Sequence, residues 1–120
     1  MYKLDIDSIS IAEDQIDCYS PFRILIIETD EMNQMADRRQ RAKGEKTFFD
    51  DSNPDNDYNG WYNFYFRTDG EEVMDFFYED DCGNYIGDIE ISEEDKQLAM
   101  QKIIEYYGGK KEYKRRCEEY

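Results

Sequence analysis

The sequence predicts an α+β fold: an antiparallel β-meander of about four strands with a C-terminal helix packed on one face, in a single domain over residues 1–120. Three observations lead there. The segments VMDFFYE (73–79) and YIGDIEI (85–91) flank a turn, Asp81-Cys82-Gly83-Asn84, and close into a hairpin with one apolar face. The preceding segment WYNFYFR (61–67) places rings at the period of a strand. After Ser92, the residues Ala99, Met100, Ile103, Ile104 and Tyr107 recur at helical spacing, a stripe that a sheet can cover.

Taken in order, residues 2–6 and 9–11 add one short strand. Phe22 to Glu28, just after Pro21, is the most apolar run and rich in β-branched side chains, so it reads as a buried strand. Asp30 to Lys43 reads as a helix capped by Thr29 or Asp30 and stopped by Gly44. Its apolar face is only Met32, Met35 and Ala36, which predicts weak packing. Lys43 to Asn59 reads as a long polar loop with Phe48 and Phe49 as anchors. Ser92 caps a helix over 93–107, with Glu93, Glu94 and Asp95 favourably placed in its first turn. Gly108-Gly109 ends that helix, and Lys110 to Tyr120 is left as a short basic tail or a final helical turn.

Register follows from the pattern. Symmetric closure of the hairpin sets Tyr78 opposite Gly87, Phe76 opposite Ile89 and Met74 opposite Ile91, all on the apolar face. The other face carries Asp75, Phe77, Glu79, Ile86, Asp88 and Glu90. A two-residue loop at Asp69-Gly70 would put Tyr62, Phe64 and Phe66 on that acidic face. A three-residue loop, Asp69 to Glu71, sets them beside Met74, Phe76 and Tyr78 and is preferred, because one slip in register decides whether three rings are buried. Trp61, Asn63, Tyr65 and Arg67 then line the outer face.

Charge narrows the function. Thirty acids against 15 bases give a net charge of −15, and there is no histidine. The commonest general base and the commonest transition-metal ligand are therefore missing. Such a charge repels nucleic acid and anionic membranes and attracts basic proteins or cations. Of the 19 aromatics, 18 are Tyr or Phe, so the core is built largely of rings. Cys18, Cys82 and Cys117 show no metal or redox spacing and read as free thiols of a cytoplasmic protein. No window has the apolar length of a signal peptide core or a membrane span.

Two sites present themselves. DNDYNG (55–60) has the opening spacing of a calcium loop, with Asp55, Asp57 and Asn59 as ligands, and Asn63 would take the ninth position. The twelfth position, which needs a bidentate acid, is Phe66, and a strand follows where a helix is required. The stretch therefore reads first as a turn that launches Trp61, with a divalent-cation module kept as an alternative. Cys82, ringed by Glu79, Asp80 and Asp81, is disfavoured as a nucleophile because the acids oppose thiolate formation.

The second site is the acid concentration itself. From Asp69 to Asp95 there are twelve carboxylates and no basic residue. Asp88 and Glu90 share a strand face about 6.6 Å apart, and Asp75 and Glu79 lie on the neighbouring strand. That row is comparable to successive phosphates along one nucleic-acid strand, and Trp61, Tyr65 and Phe77 are the aromatic anchors beside it. In this character, over the whole chain, the protein resembles the small acidic DNA-mimic proteins that mobile genetic elements use against host defence, of anti-CRISPR and anti-restriction type. The resemblance is one of composition; those proteins share no fold or signature, so it assigns no residue. It implies a non-enzymatic inhibitor, without cofactor, that binds the basic surface of a nucleic-acid-binding protein. The alternative is a protein-interaction domain with no inhibitory role. The basic segments 38–43 and 110–116 depart from a uniform mimic and either pair with the acids or touch nucleic acid held by the target.

Overall fold

A computed structural model describes residues 1–12, 20–45 and 61–120. The calcium-loop residues Asp55, Asp57 and Asn59, the anchors Phe48 and Phe49, and Cys18 lie outside the described residues. Within them, four strands and three helices give the expected α+β class: β1 (Arg23–Ile26), α1 (Asp30–Ala42), β2 (Asn63–Thr68), β3 (Val73–Glu79), β4 (Tyr85–Asp88), α2 (Glu93–Tyr106) and α3 (Lys110–Glu119). The sheet is wholly antiparallel, in the order β1-β2-β3-β4. Residues 2–6 and 9–11 do not form a strand of their own. Ile6–Ser8 is a turn of 3₁₀ helix, and Ile11 makes an isolated bridge to Ile26.

Alternation along the strands sorts the inner face. Ile24, Ile26, Phe64, Phe66, Phe76 and Tyr78 are buried there in one core with residues from all three helices. The rings meet across strands, Phe66 on Phe76 at 5.0 Å between centroids and Tyr62 edge-on to Tyr78 at 5.7 Å. Burying one such ring contributes about 1.5–3 kcal/mol relative to leaving it in water. Tyr78 lies opposite Gly87 as its period requires, and the Ile89 amide donates to the Phe76 carbonyl at 2.7 Å.

The β2–β3 connection differs from the expected three-residue loop, which would set Phe66 opposite Met74 and Phe64 opposite Phe76; the observed pairs are Phe66 with Phe76 and Phe64 with Tyr78. Arg67 pairs with Asp75 and Thr68 with Val73, so the loop is Asp69 to Glu72 and Met74 is left without a partner on β2. This bulge keeps Phe64 and Phe66 in the core while turning Val73 inward. Met74, expected in the core opposite Ile91, is instead 46% exposed. Its place on the inner face is taken by Val73.

The helices correct the sequence reading twice. α1 starts as expected, with the Thr29 hydroxyl accepting from the Met32 amide at 3.2 Å. Its buried face is wider than the stripe of Met32, Met35 and Ala36, however, because polar residues complete it. Asn33 accepts from the Tyr62 amide at 3.1 Å, Asp37 from the Tyr62 hydroxyl at 3.0 Å, and Gln40 from the Tyr78 hydroxyl at 3.2 Å. The last segment is no tail: α3 runs ten residues. Its buried Tyr113 donates to the Pro21 carbonyl at 2.7 Å and bonds the Thr68 hydroxyl. Gly108 and Gly109, at φ +95° and +123°, make the turn between α2 and α3 that other residues rarely adopt. α2 is capped by Ser92, which accepts from the Asp95 amide at 3.0 Å. No described helix is long and apolar enough to cross a membrane.

Removing the acceptor of a buried hydroxyl takes away a hydrogen bond made out of water. Asp37→Ala is expected to lower stability by about 2 kcal/mol in urea unfolding. Adding Tyr62→Phe to it should cost less than the two single losses summed, because both changes remove the same hydrogen bond.

Candidate functional site

The outer sheet face carries the residues expected to bind a partner, and their surroundings are set by register. Arg23 on β1 lies directly opposite Arg67 on β2, an arrangement of like charges that is unfavourable without compensation. β3 supplies it: Arg67 pairs with Asp75, and Arg23 with Glu79. To reach Glu79, the Arg23 guanidinium lies 4.2 Å from the Tyr65 ring centroid and 5.7 Å from that of Phe77, which are themselves stacked at 5.2 Å. Cation and rings thus form a layer on the outer face.

The seven candidates are consequently divided. Tyr65 and Phe77 are buried, as is Glu79 beneath its arginine, so they offer little to a partner in this conformation. Trp61 is 47% exposed. Asp75, Asp88 and Glu90 come together around one open cleft of about 410 Å³ at the β3–β4 edge, with Met74, Arg39 and Lys96 also lining it. The expected row of four carboxylates is therefore a group of three, with Glu79 apart and Asp75 ion-paired. Asp88 accepts from the Tyr85 hydroxyl at 2.8 Å, and this bond, ahead of burial, raises the tyrosine pKa. The β4 edge is also covered: Arg39 donates to the Asp88 carbonyl at 2.9 Å and the Tyr2 amide to the Glu90 carbonyl at 2.9 Å.

Sequence reasoning set Arg67 on the outer face but passed over Arg23 and the ion pairs that both arginines make. Their signal was present as one outward cation on each of two adjacent strands. The basic segments also bond to acids: Arg41 to Asp37 at 3.2 Å, Arg115 to Glu112 and Glu119 at 2.8 Å each, and Lys114 to Glu71 at 3.9 Å.

Other acids hold turns. Asp69 accepts from the Glu71 and Glu72 amides at 2.9 and 2.8 Å, and these bonds depress its pKa. At Asp80 desolvation raises the pKa, but bonds from the Asn84 amide and side chain and from the Cys82 and Gly83 amides outweigh it and leave the value lowered. Asp80, Asp81 and Cys82 form the only grouping of three metal-ligating side chains found among the described residues. The Asp80 oxygens there already accept from the Cys82 amide and from the Asn84 amide and side chain. The Asp81 charge, then desolvation and Asp80, push the exposed Cys82 thiol up, which agrees with its poor prospects as a nucleophile.

Two measurements check these assignments. A carboxyl with a depressed folded pKa contributes stability above its unfolded value, about 3.9 for Asp, and loses it as pH falls through the folded value. Acidification from neutrality first relieves the repulsion of a chain at −15 whose pI is 4.2. The melting temperature should therefore rise from pH 7 toward about pH 5 and fall below about pH 4. Asp69→Asn with Asp80→Asn should flatten the acid limb. At pH 7, iodoacetamide should label Cys82 slowly for an exposed thiol, and Asp81→Asn should accelerate the reaction severalfold.

Comparison of the chain with protein-family models, with curated proteins and with solved structures finds no match.

Proposed function

We propose that this chain is a non-enzymatic acidic binding protein that inhibits a nucleic-acid-binding protein of host defence, CRISPR-type effectors included, by occupying the basic surface that nucleic acid would take. One observation supports this above others. Of the twelve carboxylates between Asp69 and Asp95, seven are exposed: Asp69, Glu71, Glu72, Asp88, Glu90, Glu93 and Glu94. Among the described residues only Glu71 and Glu93 of these have an ion-pair partner, Lys114 and Lys96. The other five have no ion pair among the described residues and project from the sheet edge, the β2–β3 connection and the start of α2.

The paired arginines move the proposed contact from the centre of the outer sheet face to its β4 edge. Asp88 and Glu90 are exposed there beside Met74 and Tyr85, which are also exposed. An acidic rim with apolar side chains among its charges suits a cationic groove, because rim charges steer association and apolar groups add desolvated contact. The mechanism is competitive: the protein's carboxylates meet the lysines and arginines that otherwise hold phosphates.

The test is relief of interference. Cells carrying a CRISPR effector and challenged with phage should lose protection when the chain is expressed. Purified chain should bind that effector in competition with its nucleic acid and more weakly as salt rises. Asp88→Lys with Glu90→Lys should weaken binding about tenfold. Undiminished binding by that double variant would remove the β4 edge from the interface, and no binding across a panel of such effectors would leave the interaction-domain reading.

A further inference from the structure

The β2–β3 connection and α2 enclose a groove of about 240 Å³ next to the cleft at the β4 edge, with which it shares Lys96. Val73 and Met100, both buried, and half-buried Ile104 supply its apolar lining. Glu71, Glu72 and Glu93 stand on its rim, and Gln97 and Gln101, one helical turn apart, are exposed along its α2 side. Lys96 is its one cation and is engaged with Glu93 at 3.1 Å. Glu72 carries no ion pair among the described residues.

The geometry points to this groove as a seat for a lysine or arginine side chain of a protein partner, with the aliphatic stem on Val73, Met100 and Ile104 and the cation among the rim carboxylates. The inference rests on the reading of the chain as an acidic protein-binding module and locates a contact on it. Four features favour that occupant. Lys and Arg lay apolar stems along apolar surface while keeping the charge in water, and the groove offers both environments in that order. Glu71 and Glu93 are ion-paired with Lys114 and Lys96, and Glu72 leaves the rim with one carboxylate in excess, complementary to a cation, whereas an apolar floor gives a bare metal ion no ligands. The volume is below the roughly 300–1,000 Å³ of small-molecule pockets, a size suited to an inserted side chain. The exposed glutamine amides beside it have donors and acceptors for the backbone of an inserting segment.

The probe is a hexalysine peptide titrated into the full chain, with the methyl groups of Met100 and Ile104 observed by NMR. Both methyls should shift with saturation. Glu71→Lys with Glu72→Lys should weaken the effect about tenfold, whereas Glu105→Lys with Glu118→Lys, the same change in net charge at exposed positions outside the groove, should weaken it much less. Ile104→Asn, which keeps the charge and removes apolar lining, should also weaken it, and thermal melts confirm that each variant is folded. Unmoved methyls would overturn the inference, as would equal losses in the two charge-reversed pairs. If the methyls shift while the chain inhibits no nucleic-acid-binding protein, the groove stands and the inhibitor reading falls. If inhibition is found and the methyls stay still, the reverse holds.

Discussion

Tyr62, Tyr78 and Tyr113 are among the largest side chains this protein buries completely, and each brings a hydroxyl that must keep a partner away from water. An unsatisfied buried hydroxyl costs about 1–3 kcal/mol, a large part of the stability of a domain this size. The rest of the structure is arranged around that requirement. Two of the hydroxyls find their acceptors on α1, at Asp37 and Gln40, and the third finds the carbonyl of Pro21 next to β1. A phenylalanine core would allow these helices to slide; a tyrosine core ties each one to a named atom. This is why α1, whose apolar stripe is narrow, still buries six of its thirteen residues. Its polar residues are the other half of the core's hydrogen bonds.

The same economy governs the charges. A chain at −15 would be expected to place its acids wherever water reaches them, yet many have local tasks. Asp69 and Asp80 close turns, Asp75 and Glu79 neutralise two opposed arginines, and Asp95 accepts from the Leu4 amide at 3.2 Å. The carboxylates left over lie on edges and ends, where the backbone has turned and no neighbouring strand supplies a cation. A surface of this kind approaches a partner through its rim. The groove beside α2 fits that pattern, since it lies where a loop and a helix start bring three glutamates over apolar side chains.

Much of the fold was legible in the sequence because its signals are local. The caps Thr29 and Ser92, the opposition of Tyr78 and Gly87, and the burial of Tyr62, Phe64 and Phe66 follow from spacing within a few residues or from one strand's period. The bulge at Met74 was not legible, because the alternatives differ by one residue and only the packing of Val73 against the core separates them. Nor was the helicity of Lys110–Glu119, a segment of high charge whose single buried ring finds its partners about 92 and 45 residues away in sequence, a separation over which propensity is silent.

For the candidate site the division is sharper. By itself the sequence determined the excess of carboxylates, the absence of histidine, and the alternation that puts Asp75, Phe77 and Glu79 on one face of a strand. Only the tertiary structure decided which of those charges remain available. That depends on Arg23 reaching across Tyr65 to Glu79 from a strand more than 50 residues earlier, an interaction that exists only once β1, β2 and β3 lie side by side in register. Side-chain identity sets how much charge the chain carries; strand pairing sets which charges find opposite neighbours, because ion pairing acts over a few ångströms and sequence distance says nothing about those.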